Sequence, residues 1–413
     1  MLGFLRIRAP VVRKICGSAT IWLLLWLAAI DLAAGAMKPL RYVEMPTILF
    51  ADQDPLDGMV ADLDSPSNQF NVLLLGSSLL HAATGADLLE KPIKGQARYS
   101  WSSYTKALTF DRLLRERLGI PACSFSIGVA GGMVQDDLLF LNRALEAGKK
   151  PGLLILFLAP RDFIDNRCSS PSRVEAYFLR KKPLWLQVSL KQPLAENLGR
   201  IADALSYFWR SRSEYLYVLD NTTRALFDRA LNYRVPGAQH APLPSFRPLK
   251  LRFWQESPDR RQPAAEACAT SGQSKNESKT EKENAIADYR FRYLPVNYKR
   301  LDIEMKGLET ILKESTRAGI ITVVVNMPRG KENEGILPAT FTSMFARRLA
   351  LTCRNSGTPF VDFQDGSDFT ADDFKDTVHL TPSGGAKLFE LLSDRLAASS
   401  ELRARLSERF PGP

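Results

Sequence analysis

A parallel α/β fold with about five strands is what this 413-residue chain predicts, together with an N-terminal transmembrane helix and a mostly helical insertion. Three observations carry that expectation. Short continuous apolar runs recur, as in strands buried on both faces of a parallel sheet. Helical stripes separate them, which is the rhythm of βαβ units. The rhythm also stops near residue 168 and resumes near residue 297, so a block of different character interrupts it.

The strands follow in order. Asn71–Leu75 is an apolar run ending at Gly76, Ala122–Ile127 a second, Leu153–Leu158 a third, Ile320–Asn326 a fourth and Pro359–Phe363 a fifth. Between the first two, Tyr104–Leu118 places Leu108, Leu113, Leu114 and Leu118 on one helical face, with Gly119 to stop it. Val134–Ala147 follows the second strand. Leu301, Met305, Leu308 and Leu312 form a stripe closed by Gly319, and helices are expected over Thr342–Arg354 and Ser383–Ala398.

Domain bounds follow from this rhythm. Residues 1–14 form a cytoplasmic N-terminus, 15–36 a transmembrane anchor and 37–68 a tether containing Pro39, Pro46, Pro55 and Pro66. Residues 69–167 and 297–398 are the two halves of the α/β core, and 399–413 a tail. The insertion covers 168–296, with helical stretches at Glu196–Arg210 and Tyr215–Leu231. Within it, 256–284 is too polar to bury a core and is expected to be disordered.

Arg6, Arg8, Arg13 and Lys14 precede the apolar stretch from Ile15 to Ala36. A basic flank stays on the cytoplasmic side, so the rest of the chain is expected outside it, as a single-pass inner-membrane protein with Asp31 near the outer interface. The small residues ending at Ala36 also fit a cleavage site. Exported, Cys123, Cys168, Cys268 and Cys353 permit two disulfides in three pairings, or remain free thiols.

The net charge of +10 favours anionic partners such as phosphate-rich surfaces or acidic glycans. No zinc-finger spacing, aromatic RNA-binding run or dense basic block is present, so nucleic acid is not expected as a partner.

Ligands of open parallel sheets bind beyond the carboxyl ends of the strands. After the first strand comes Gly76-Ser77-Ser78, where Ser78 either presents a hydroxyl at the sheet edge or caps a helix. After the second comes Gly128-Val129-Ala130-Gly131-Gly132, an ordinary glycine turn or a source of backbone N–H groups for an oxyanion. After the third comes Ala159-Pro160-Arg161-Asp162, with Asp165 and Asn166 beyond. After the fifth comes Asp376-Thr377-Val378-His379. Of three histidines, at 81, 240 and 379, only His379 has a carboxylate three positions earlier, suited to fixing its tautomer.

Together these blocks resemble the SGNH, or GDSL-like, hydrolase superfamily, through Gly76-Ser77-Ser78, Gly131 and Asp376-x-x-His379. The resemblance covers roughly residues 69–166 and 297–396. It implies a flavodoxin-like three-layer α/β/α fold, with Ser78 as nucleophile, His379 as general base and Asp376 orienting it. It implies oxyanion N–H groups from Ser78 and Gly131, with Arg161 either a charged third donor or a binder of an anionic substrate group, and no metal or cofactor. Ser77 replaces the Asp of the family's first motif, and Arg161 stands where the third block has Asn. The anchor and altered third block resemble membrane-tethered bacterial envelope proteins that act beside membrane-bound O-acyltransferases. The implied substrate is an acyl ester of an envelope glycan.

Overall fold

The computed structural model describes residues 19–44, 55–90, 104–167, 172–181, parts of 198–246, 285–364 and 368–410. They divide into two compact units, Met1–Asp54 with Phe178–Asp259, and Pro55–Tyr177 with Arg260–Pro413.

The second unit holds the sheet. Its strands are β1 (Val72–Ser77), β2 (Ser124–Val129), β3 (Leu153–Leu158), β4 (Ile321–Asn326) and β5 (Phe360–Asp362), in spatial order β2-β1-β3-β4-β5. Every pairing is parallel, with Val72 opposite both Ser124 and Leu153, Leu153 opposite Ile321, and Val324 opposite Phe360. The four longer strands are buried along their whole length, which is why they read as unbroken apolar runs.

Helices cover both faces. Around the sheet run α3 (Ser78–Ala83), α4 (Leu108–Leu118), α5 (Val134–Glu146), α6 (Arg161–Ile164), α8 (Tyr298–Arg317), α9 (Ala339–Asn355) and α10 (Pro382–Ala398). α4 packs on α10, and α5 on α8. Phe389 of α10 lies 5.0 Å from Phe110 of α4 and 6.3 Å from Phe157 of β3, tying one layer to the sheet. On the α8–α9 side, Phe163 of α6 meets Phe345 of α9 at 5.0 Å. The result is a three-layer α/β fold with five parallel strands. The strand order turns back between β1 and β3, the place where such folds bind ligands.

Two segments depart from expectation. Within the tether predicted over 37–68, residues Pro55–Asp64 form α2, which buries Leu56, Met59, Val60 and Leu63. Their i, i+3, i+4, i+7 spacing is an ordinary amphipathic stripe that the neighbouring prolines and aspartates obscure. Likewise the predicted tail contains α11 (Ser400–Arg409), with Leu402 and Leu406 buried. Each such leucine contributes roughly 1.5–3 kcal/mol when removed from water.

The insertion expected over 168–296 is described at its end. Residues 285–293 are helical and bury Tyr289 and Tyr293, whose hydroxyl donates to Asn333 Oδ1 at 3.1 Å. The stretch 256–284 lies outside the described residues, as do parts of Glu196–Arg210 and Tyr215–Leu231. Cys123 and Cys353 are free thiols, which removes the two-disulfide arrangement; Cys16, Cys168 and Cys268 lie outside the described residues.

In the first unit, α1 (Ala19–Met37) exposes Trp22 through Leu27, and α7 is the single turn Tyr207–Arg210. The anchor expected over 15–36 is not supported: among the described residues no helix is long and apolar enough to cross a membrane. Asp31 lies in the second half of α1. Its carboxylate interrupts the apolar run and accepts from Ser206 Oγ and the Tyr207 and Phe208 N–H groups at 2.8–3.0 Å, capping α7.

Candidate active site

β1 delivers Ser78 to the switch point. A Cβ at Gly76 would lie 2.7 Å from the Phe157 carbonyl oxygen, so only glycine lets β1 run against β3 up to that point. The chain turns at Ser77, and Ser78 opens α3. Beside it, a Cβ at Gly128 would lie 2.6 Å from the His81 nitrogen, so α3 can settle onto the end of β2 only because that position is bare.

The partner side chains come from the loop ahead of α10. A bridge between Phe374 and Leu380 closes that loop, and the Lys375 N–H donates to the His379 carbonyl at 2.8 Å. Inside it, Asp376 Oδ1 accepts from the Val378 and His379 N–H groups, both at 2.8 Å. Its Oδ2 accepts from His379 Nδ1 at 2.7 Å. Burial works to raise the pKa of Asp376, but these hydrogen bonds and the imidazole outweigh it, so the pKa stays below the ordinary carboxylate range. With Nδ1 protonated toward Asp376, Nε2 is left as an acceptor, and the Ser78 hydroxyl donates to it at 2.8 Å.

The docking of α10 fixes this loop in place. Thr381 caps the helix by accepting from Gly384 N–H at 3.1 Å, and Pro382 occupies its first turn. A Cβ at Gly384 would lie 2.1 Å from the Asp373 carbonyl oxygen, and one at Gly385 would lie 2.3 Å from that of Ala83. Two successive glycines therefore let α10 sit against both its own loop and the end of α3. His379 keeps 27% of its side chain exposed, so a substrate can reach it.

Beyond the ends of the two strands that flank β1 lie Gly131, after β2, and Arg161, after β3. Gly131 adopts φ 78°, in the left-handed region, and is exposed. Arg161, at the start of α6, is buried. Its Nε donates to Asp165 Oδ2 at 3.2 Å and its Nη1 to Asp162 Oδ1 at 3.5 Å, a long contact. Nη2 is buried without a protein partner, and a Cβ on Gly131 would lie 3.9 Å from it. Burial opposes the Arg161 charge, yet Asp162 and Asp165 more than restore it, so the guanidinium stays cationic.

The structure thus brings Ser78, His379 and Asp376 into one hydrogen-bonded chain, and sets Arg161 against Gly131. Sequence reasoning missed the roles of five further residues. Gly384 and Gly385 fall inside the helix expected over Ser383–Ala398, but only the structure shows that bare positions there let it close on Asp373 and Ala83. His81 of α3 is held down to about 4 by burial and by the nearby His379, which keeps it neutral beside the base. Tyr289 feels the charges of both Arg161 and Asp376, and burial pushes its phenol up. Arg292 binds Asp165 Oδ2 at 2.8 Å. Among the described residues, no group of three or more His, Cys, Asp or Glu side chains is arranged to hold a metal ion.

No family profile matches the chain, and no curated protein matches it. Among the solved structures that match is a single-site mutant of Axe2, an acetyl-xylooligosaccharide esterase from Geobacillus. The superposition has a TM-score of 0.34 and 10% identity, covering 80% of this chain and 95% of that one. A likeness this loose assigns neither family nor activity to the chain.

Proposed function

We propose that the chain is a serine-dependent ester hydrolase or O-acyltransferase of the SGNH type. Its substrates are acyl esters, foremost acetyl esters, of cell-envelope polysaccharide. The single observation that carries this reading is the hydrogen-bonded series Ser78–His379–Asp376 at the switch point of the sheet.

In this mechanism His379 Nε2 takes the Ser78 proton as Oγ attacks the ester carbonyl. The tetrahedral oxyanion is held by the Ser78 and Gly131 N–H groups and by Arg161 Nη2. Collapse breaks the bond to the leaving oxygen, which receives the proton from the imidazolium, and Ser78 keeps the acyl group. Water or a sugar hydroxyl then gives its proton to His379 and attacks the acyl carbon, and collapse breaks the bond from that carbon to Ser78 Oγ as the imidazolium returns its proton to Oγ. Water completes hydrolysis, and a sugar completes transfer. Loss of one neutral oxyanion donor costs roughly 100- to 1000-fold in rate. A cationic donor at the same place offsets that loss.

The net charge of +10 suits an acidic glycan. The basic flank ahead of the N-terminal apolar stretch supports action outside the cytoplasm, beside a membrane-bound O-acyltransferase as donor or acceptor of the acyl group.

A fluorophosphonate probe and p-nitrophenyl acetate test the reading. The full chain is expected to be labelled once and to release p-nitrophenol, and Ser78→Ala to do neither. Equal labelling and turnover in the two proteins would refute it.

A further inference from the structure

The helical segment 285–293 reaches the site from a stretch of chain that the triad itself does not use. Arg292 Nη1 donates to Asp165 Oδ2 at 2.8 Å and its Nε to Asp288 Oδ2 at 2.6 Å. The same Asp165 oxygen accepts Arg161 Nε, and the other oxygen accepts the Arg167 N–H at 2.9 Å. Arg167 also pairs with Asp288, so the assembly closes on itself. Asp165 is 3% exposed and Arg161 3%, whereas a quarter of the Arg292 side chain meets solvent.

The outcome is a guanidinium anchored along one edge. Nε and Nη1 are committed to Asp165 and Asp162, while Nη2 is buried, unpaired and next to Gly131. A buried donor without an acceptor is costly, and its persistence points to an acceptor supplied from outside the protein. Arg161 has only one strong hold, the 3.2 Å contact to Asp165, since Nη1 lies 3.5 Å from Asp162. The direction of Nη2 therefore depends on where Asp165 sits, and Arg292 fixes Asp165 from its far side. Tyr289, one turn earlier on the segment, lies under the Arg292 guanidinium with 5.9 Å from its carbon to the ring centroid, which braces the arginine.

We propose that Arg292, acting through Asp165, is a positioning residue that directs Arg161 Nη2 at the oxyanion forming beside Gly131. This inference rests on the reading of Ser78 as nucleophile. A donor aimed at charge that develops on the carbonyl oxygen acts in the transition state, so the effect should appear in kcat rather than KM.

A double-mutant cycle on the full chain with p-nitrophenyl acetate tests it. Arg161→Gln is expected to lower kcat about 100-fold, the usual scale for one oxyanion donor. Arg292→Gln is expected to lower kcat roughly 10-fold with KM within about twofold, on the same principle of transition-state binding. The double variant should fall no further than Arg161→Gln alone. An Arg292→Gln protein with unchanged kcat, or a double variant whose loss is the product of the two, would overturn the inference. Should Arg292→Gln fail to fold, Asp288→Asn loosens Arg292 from the solvent side and must show a smaller loss that disappears in the Arg161→Gln background. A wild-type chain that no fluorophosphonate labels removes the nucleophile reading itself, an outcome distinct from a labelled protein indifferent to Arg292.

Discussion

Asp376 serves three partners with two oxygens. One oxygen organises the loop through two backbone N–H groups, and the other holds the imidazole. An Asn at this position would keep a carbonyl oxygen for the backbone donors and turn its amide nitrogen toward Nδ1. The ring proton would then sit on Nε2, where it cannot accept from Ser78. Asp376→Asn is therefore expected to fold with an unchanged thermal midpoint while kcat/KM for p-nitrophenyl acetate falls on the order of 10,000-fold. A fall below about tenfold would contradict the orienting role, on the same comparison.

The junction of α3 with α10 shows how two elements far apart in sequence are brought to contact distance by what they lack. At Gly385 an added methyl would lie 2.3 Å from the Ala83 carbonyl oxygen, which is backbone and cannot swing aside. Gly385→Ala is expected to push α10 away, costing about 1–3 kcal/mol as other forced overpackings do. Because His379 hangs from the loop that α10 anchors, activity should fall by more than stability alone explains. Urea unfolding beside kcat measures both. The strands were legible from sequence because burial on both faces leaves an unbroken apolar signature. Asp376-x-x-His379 was legible because its partners are three residues apart. The role of the two glycines was not, since a glycine within a helix gives no sign in sequence of the backbone it will meet in space. Arg292 was equally hidden: its partner Asp165 lies 127 positions away and leaves no periodicity in the chain. At α2 and α11 the apolar spacing was present, but flanking prolines and charges outweighed it.

At the scale of the whole molecule, stability is tied to the proton concentration through buried acids beneath α5. Glu304 of α8 accepts the Gln135 N–H at 2.9 Å and lies 3.1 Å from Arg300, yet burial still lifts it to about 7. Asp162 rises to about 6 for the same reason, against the pull of Arg161. A carboxyl raised in the fold above its unfolded value of 4.5 is a cost when ionised, present above pH 7 and relieved as pH falls through 7 toward 4.5. Glu304→Gln keeps the acceptor for Gln135 and removes that cost. It is expected to exceed the wild type by about 1–3 kcal/mol at pH 8.5, with the gap closing near pH 5, as read from urea midpoints at each pH. His81 runs the other way: neutral in the fold down to about 4, it takes stability away as pH falls below 6.5. The spacing of the triad has a further effect during synthesis. Ser78 leaves the ribosome 301 residues before His379, and β5 and α10, which complete the sheet and seat the base, come near the end, ahead only of α11. A nascent chain therefore carries an inert alcohol for nearly the whole of translation, and reactivity switches on only when α10 emerges and docks.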